Sequence, residues 1–364
     1  MIALQKIFDD SNAICFAADN AYFKILYVAL SSLVRNSSTC RNYDIIILSQ
    51  NISDYYKSYI NMLSSSNISI RFVDETEFLT AQELNKFFVS GHVTLPTYFR
   101  FFIPELFSNY EKVVYLDCDI VFNSDISDIF SIDMGDNILG VVNDASYKLF
   151  DIHFKNFTTY IRNSLNMDES YYFNAGVILY NIPNAIDFDL QKKCFEFLSR
   201  IKTPRFHDQD ILNAVTAGKN LFLPITWNLQ WHLVIQYAGR EQEIRHIPYY
   251  ATYYETLPNA KIIHYTSDRK PWNYPSYELA ELWWKDARAT PFYEAFLESA
   301  TLGEKLEERL ALLAPWKFRF RTTTIFFTLL SYLCFGRLKQ RMKKCAQREK
   351  KKLRFAQKLG KYQD

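Results

Sequence analysis

The sequence predicts an α/β protein built on a mostly parallel sheet with helices on both faces. Three observations carry this. In the first half, short apolar runs alternate with segments of helical periodicity, in a βαβαβ order. Several apolar runs end in polar residues, as strands do when their carboxyl ends face a ligand crevice. And of 364 residues, 49% are hydrophobic and 17% aromatic, which argues against disorder and suffices for one large core or two ordinary domains.

The elements follow in order. AICFAA (Ala13–Ala18) reads as a strand, YFKILYVALSSLV (Tyr22–Val34) as a helix, DIIILS as a strand, YYKSYINML as a helix and ISIRFV as a strand. TYFRFFIPELF reads as one helix leading into the strand VVYLDCDIVF (Val113–Phe122). ILGVVND (Ile138–Asp144) and YFNAGVILYN (Tyr172–Asn181) are further strands, with helices near Ala185–Arg200 and Asp210–Ala217. Trp227–Tyr254 lacks periodicity and reads as loops; AKIIHYT (Ala260–Thr266) is a late strand, and helices near Ser276–Ala300 and Leu302–Leu313 close the body.

Charge divides the chain. Pro315–Asp364 holds 15 Lys/Arg against two acids, a net of +13, whereas the rest has 27 against 38, a net of −11. We expect residues 1–314 to form the catalytic body and 315–364 a basic helical tail. Within that tail Ile325–Phe335 is almost wholly apolar and flanked by basic residues. It is too short to span a bilayer. It suits a segment lying on an anionic membrane surface; a partner-binding helix, a nucleic-acid-binding arm and a solvated tail are the alternatives. Cys15, Cys40, Cys118, Cys194, Cys334 and Cys345 show no CxxC spacing, so free thiols in a reducing compartment are expected. No apolar run suits a signal peptide or a span. A cytoplasmic protein, peripheral on the inner face of the membrane, is the expectation.

Asp117 and Asp119 interrupt the most strand-like run in the chain, where an unpaired buried charge is costly. A DxD alone is weak, expected about once by chance in this length. Asp187–Asp189 is such a pair and is expected to cap the helix that follows. Asp117 and Asp119, taken as strand residues, share a face, and two hard oxygen ligands suit Mg²⁺ or Mn²⁺ carrying a phosphate. The bland alternative is a solvated strand end. His264 closes a strand and Lys270 follows. Alone they read as a core histidine and a surface lysine; together with the carboxylates they fit a metal and a lysine sharing a diphosphate's charge.

Six segments in this order resemble glycosyltransferase family 8, retaining enzymes that use nucleotide sugars: FAADNAYFK (Phe16–Lys24), LPTYFRFFIPEL (Leu95–Leu106), VVYLDCDIVF, YYFNAGVILYN (Tyr171–Asn181), HDQDILN (His207–Asn213) and IIHYTSDRKPW (Ile262–Trp272). Bacterial members that build lipopolysaccharide outer cores look most similar. The resemblance implies a GT-A fold, a Rossmann-like single domain. It implies that Ala17, Asp19 and Asn20 line a uridine pocket, and that Arg100 meets the donor sugar or diphosphate. Asp117, Asp119 and His264 would hold Mn²⁺ or Mg²⁺, with the Cys118 backbone against the ribose. Asn174, Ala175, Asp208 and Gln209 would face the hexose, and Lys270 the diphosphate. The family often has a glycine soon after the His-Tyr pair, where this chain has Thr266-Ser267-Asp268. Asp208 has a second reading, as a cap of ILNAVTA. Asn174 could be a satisfied strand-end amide, and Asn20 an Asx-turn residue.

The implied reaction moves a galactose or glucose from a UDP-sugar to a hydroxyl of a glycan or lipid-linked oligosaccharide, in lipopolysaccharide or other surface glycan synthesis. Gln209 is a poor nucleophile, which favours front-face attack with the leaving phosphate oxygen taking the acceptor proton. Two other functions compete. A haloacid-dehalogenase-type phosphohydrolase also puts DxD after an apolar strand, but typically continues with small residues where Ile120, Val121 and Phe122 stand here. A nucleic-acid-binding protein acting through its tail is disfavoured by the acidic body, so no nucleic-acid partner is expected.

Overall fold

NAICFAAD puts six consecutive buried residues between half-buried ends and forms β1 (Asn12–Asp19) in the computed structural model of the chain. The structure describes residues 3–79, 95–144, 156–201, 203–231, 252, 255–267 and 269–300. An unbroken apolar run is what a strand covered on both faces requires. The helix that follows, α1 (Phe23–Asn36), buries Phe23, Leu26, Leu30 and Leu33 at helical spacing. It leads to β2 (Tyr43–Gln50), parallel to β1. A short helix α2 (Asp54–Ser58), capped by the Ser53 hydroxyl, and a 3₁₀ turn at Tyr59–Met62 precede β3 (Ile68–Asp74), parallel to β2.

The segment expected as one helix from Thr97 is a 3₁₀ helix, Leu95–Phe102, followed by one turn of α3 (Ile103–Leu106). Pro104 explains the change. It has no N–H to donate to an upstream carbonyl, and it suits the first turn of a new helix. The chain then forms β4 (Lys112–Leu116), which pairs parallel with β1 on the side away from β2. The expected ten-residue strand breaks at Asp117-Cys118-Asp119, and β5 (Ile120–Phe122) belongs to a different sheet.

β6 (Leu139–Asn143), helix α4 (Phe157–Ser164) and β7 (Phe173–Asn181) come next. The single helix expected near Ala185–Arg200 is two, α5 (Ile182–Asp187) and α6 (Leu190–Arg200). Asp189 stands at the N-cap of α6 with φ +56° and makes no side-chain cap hydrogen bond, so the expected capping is not observed. α7 (His207–Thr216) starts three residues earlier than expected. β8 (Asn220–Phe222), β9 (Leu229–Gln230), β10 (Ile262–His264) and α8 (Ala280–Ala287) complete the labelled elements. β9 lies in the stretch read as loops. A turn over residues 288–292, with Pro291 in it, splits the helix expected over Ser276–Ala300, and residues 293–300 are helical again.

The main sheet has the order β3-β2-β1-β4-β7-β6-β8, and the small sheet β5-β10-β9. In the main sheet only β7 runs against its neighbours, so the mostly parallel expectation holds. From β1 the chain moves out to β2 and β3, then returns to β4 on the other side. That reversal opens a crevice beyond the carboxyl ends of β1 and β4. By contact, the chain divides into two compact units, Met1–Pro271 with Ser276–Tyr293, and Trp272–Pro275 with the chain from Glu294 onward. In the second unit the Ser299 hydroxyl donates to Asn273 Oδ1. The expected helix Leu302–Leu313, the basic tail, Cys334 and Cys345 lie outside the described residues. Among the described residues no helix is long and apolar enough to cross a membrane.

One buried charge far from the crevice is fully partnered. Asp44 in β2, fully buried, accepts from Arg71 Nε and Nη2, from the Tyr110 hydroxyl and from Ile7 N–H. Removing one partner of such a group leaves the others desolvated and unpaired. Asp44→Ala should therefore lower stability by about 3 kcal/mol in urea denaturation, whereas an exposed pair would give under about 1 kcal/mol.

Candidate active site

The site begins where β4 ends. Asp117 N–H still donates to Gly176 O across to β7, and two residues later Asp119 O accepts from Tyr265 N–H beside β10. The two carboxylates thus come from a crossing between two sheets, not from one pleated face as the sequence suggested. They meet His264 all the same. His264 Nε2 lies 3.7 Å from Asp117 Oδ2 and 3.3 Å from Asp119 Oδ1. Ligand atoms of all three residues fall within 4.8 Å of one another. Two hard carboxylate oxygens and one imidazole nitrogen form a donor set that fits Mn²⁺ or Mg²⁺.

Two residues that sequence reasoning passed over make this meeting possible. Gly176 is the first. A Cβ there would lie 2.1 Å from His264 Cε1 and 2.8 Å from Asp117 Oδ2, so only a glycine leaves room for the ring. The second is Asn228. Its Nδ2 donates to Asn174 Oδ1, which leaves its own Oδ1 to hold a proton on His264 Nδ1 at 3.1 Å. That fixes the tautomer and turns the Nε2 lone pair toward the carboxylates. Gly176 stood in plain view in YFNAGVILYN; Asn228 lay in a stretch without periodicity and gave no signal.

Behind the carboxylates stands Arg100, 4% exposed. Its Nη2 donates to Asp117 Oδ1 at 3.0 Å and to the Tyr115 hydroxyl, its Nη1 to Ala175 O and its Nε to Thr97 O. Nε also lies 2.9 Å from Asp208 Oδ2. Every guanidinium nitrogen has a protein partner, so Arg100 holds the site's frame together. Lys270 Nζ reaches Asp119 Oδ2 and Tyr265 O. Burial alone would raise the Asp119 carboxyl; the charge of Lys270 outweighs it and holds this group well below the usual carboxylate range.

The cavity beside these groups has a volume of about 270 Å³ and is lined by Ala17, Asp19, Arg100, Asp117, Cys118, Asp119, Ala175, Asp208 and Gln209, with Tyr22 and His207 added. Asn20, Asn174, His264 and Lys270 are not in its lining. Asn20 Oδ1 instead accepts from Ser53 N–H at the start of α2, and it is Asp19, not Asn20, that closes the local turn by accepting from Tyr22 N–H. The Cys118 thiol donates to Ala17 O, and burial, then Asp117, pushes it well up. Asp208 is in the first turn of α7 and not its cap. Burial pushes its carboxyl up to about 7, although Arg100 lowers it. Gln209 is held at both ends: Oε1 accepts from Ala175 N–H, and Nε2 donates to Asp144 Oδ2 and the Tyr172 oxygen. Asn174, a satisfied amide bonded to Gly176 N–H and Asn228, links Gln209 to His264. Ser267 takes φ +74°, a glycine-type conformation, within the Thr266-Ser267-Asp268 stretch that stands where the family often has a glycine. Asp268 lies outside the described residues.

The family profile "Glycosyl transferase family 8" matches residues 13–276. The chain belongs to this family. It is 27% identical to the glycosyltransferase GlyE of Streptococcus pneumoniae over 279 residues, 75% of this chain and 60% of GlyE. It is 29% identical to the lipopolysaccharide 1,3-galactosyltransferase of Salmonella typhimurium over 189 residues, half of each chain. The chain therefore spans less than two thirds of the length of either relative. The galactosyltransferase LgtC, solved with donor and acceptor sugar analogs, superposes with a TM-score of 0.62 at 26% identity, covering 77% of this chain and 96% of that one. The fold is accordingly the GT-A fold. The dehalogenase-type reading finds no support in these comparisons, and neither does the nucleic-acid one.

Two outcomes test the geometry. Gly176→Ala should displace His264 and weaken Mn²⁺ binding by about 10- to 100-fold, measured by the paramagnetic resonance of free Mn²⁺. Asp208 tests the electrostatics. Its folded value of about 7 stands above the unfolded value of about 3.9. Its contribution to stability is then fully present below about pH 4 and lost as pH rises through about 7. Thermal melts of wild type minus Asp208→Asn should fall across that window; a flat or rising difference would contradict the raised carboxyl.

Proposed function

We propose that the chain is a retaining hexosyltransferase that moves galactose or glucose from a UDP-sugar to a hydroxyl of a glycan acceptor. One observation carries the reading: Asp117, Asp119 and His264 converge beside a cavity at the carboxyl ends of β1 and β4, in a chain of glycosyl transferase family 8. The names of the Salmonella relative and of LgtC support a hexose donor and a lipopolysaccharide or related surface-glycan acceptor.

Asp117, Asp119 and His264 would hold Mn²⁺ or Mg²⁺. Such a cation, when bound, offsets the charge that builds on a leaving diphosphate. The protein's own groups do the rest. Ala17, Asp19 and the Cys118 backbone border the end of the cavity suited to uridine, and Asn20 braces that wall through Ser53. Lys270 would supply a further positive charge to the diphosphate. Asp208, Gln209 and Ala175 border the hexose end, and Asn174 holds Gln209 from behind. Arg100 keeps Asp117 and Asp208 in place. In the transfer, the acceptor oxygen bonds the anomeric carbon as the carbon–phosphate-oxygen bond breaks. The acceptor proton passes to the departing phosphate oxygen on the same face, which retains configuration. Gln209, anchored by Asp144 and Ala175 N–H, is placed to steady positive character on the sugar.

The tail from Pro315 is proposed to bind anionic lipid, on the strength of its net +13 and the apolar run Ile325–Phe335. That would hold the enzyme on the cytoplasmic face, near a lipid-linked acceptor. A screen of UDP-sugars for metal-dependent UDP release, followed by NMR of the product, tests the function. We expect release to vanish in chelator and in Asp119→Ala, and an α-donor to give an α-linkage. A β-linked product would overturn retention, and full activity in chelator would remove the cation from the reaction. Gln209→Ala should lower kcat about 10- to 1,000-fold with UDP affinity nearly unchanged.

A further inference from the structure

Each carboxylate of the cation site divides its oxygens between two duties. Asp117 gives Oδ1 to Arg100 and Tyr115, and turns Oδ2 toward His264. Asp119 gives Oδ2 to Lys270 and turns Oδ1 toward His264. Two negative groups are thus matched by two positive ones, and the set has a formal charge near zero. A divalent cation entering it finds each carboxylate already holding a positive partner, and it comes close to those two positive neighbours.

The two positive groups are not equivalent. Arg100 is buried, and is tied as well to Asp208, Thr97 O and Ala175 O. It cannot leave without stranding a buried carboxylate. Lys270 sits on the connection after β10, on a flexible four-carbon stem, three residues beyond Ser267 with its left-handed φ of +74°. It is the group that can change partners. An incoming diphosphate brings at least two negative charges and oxygens that compete with Asp119 for the ammonium.

We propose that Lys270 is the resident counter-ion of Asp119, and that a divalent cation and a nucleoside diphosphate bind as a coupled pair because the diphosphate takes Lys270 over from the carboxylate. The inference rests on Asp117, Asp119 and His264 being the cation ligands. It goes beyond that reading by assigning Lys270 a second partner and an exchange between the two. Once Lys270 has moved, both Asp119 oxygens are available to the cation, and the net charge of the ligand set falls by one.

Calorimetric titration of Mn²⁺ into wild type, Lys270→Met and Lys270→Gln, each with and without saturating UDP, tests this. In wild type, UDP should strengthen Mn²⁺ binding by about 10- to 100-fold, and Mn²⁺ should strengthen UDP binding by the same factor. Without UDP, the two variants should bind Mn²⁺ about tenfold or more tightly than wild type, and UDP should strengthen that binding less. Thermal melts identify any variant that fails to fold; the other then decides. Mn²⁺ binding without UDP that is unchanged or weaker in a folded Lys270 variant overturns the proposal and leaves the cation site standing. Mn²⁺ binding to none of the three proteins, with or without UDP, overturns the cation site itself and the proposal with it.

Discussion

Two carboxylates stand within reach of one imidazole nitrogen only if their charge is balanced from behind, and Arg100 supplies that balance to Asp117 as Lys270 does to Asp119. A buried guanidinium with partners on all three nitrogens fixes Asp117 at the end of β4, Asp208 in the first turn of α7 and the Ala175 carbonyl in β7. Three separate elements are thereby referenced to one planar group. The desolvation of such an ion is large and is offset only when its geometry is satisfied, so these positions are strongly coupled. The cavity keeps its shape because its charged wall is one network.

The same network explains why β7 is the odd strand. Running against its neighbours, it brings its amino end, Asn174 to Gly176, to the end of the sheet where β1 and β4 finish. Its register with β6 shifts between Val141 and Val142. That irregularity lies opposite Ala175 and Gly176, where the backbone turns its groups to Arg100, Gln209 and Asp117. Bulges near sites re-aim backbone in this way.

The sequence made the sheet legible because strands buried on both faces need unbroken apolar runs, and β1, β2, β4 and β7 have them. It made the acidic pair legible because charge after VVYL is out of place in a core. Helix breaks were harder. Pro104 and Pro291 mark two of them, but Asp189 breaks a helix through its left-handed backbone, for which its side chain gives no cue. The small sheet was hidden because β5, β9 and β10 are two or three residues long, too short for periodicity to register. Individual site roles were least legible. Asn20 and Asn228 are equally plain amides in the chain, and only the fold turns one toward Ser53 and the other toward His264.

The wide spacing of the site along the chain bears on how the protein is made. β1, β2, β3 and β4 can pair as soon as Leu116 has left the ribosome, but the free edge of β4 then waits for β7. At translation rates of about 5–20 residues per second, the 65 residues from Leu116 to Asn181 leave that edge open for roughly 3–13 s. Such an apolar edge is a template for pairing with another chain. Lys112, the first residue of β4, spends its ammonium on Phe130 O and Ile132 O. It thereby ties the turn at Phe130 and Ile132, made well before β7, to the strand's first residue. The edge that waits longest for its partner ends at Leu116, next to the Asp117 that helps form the site.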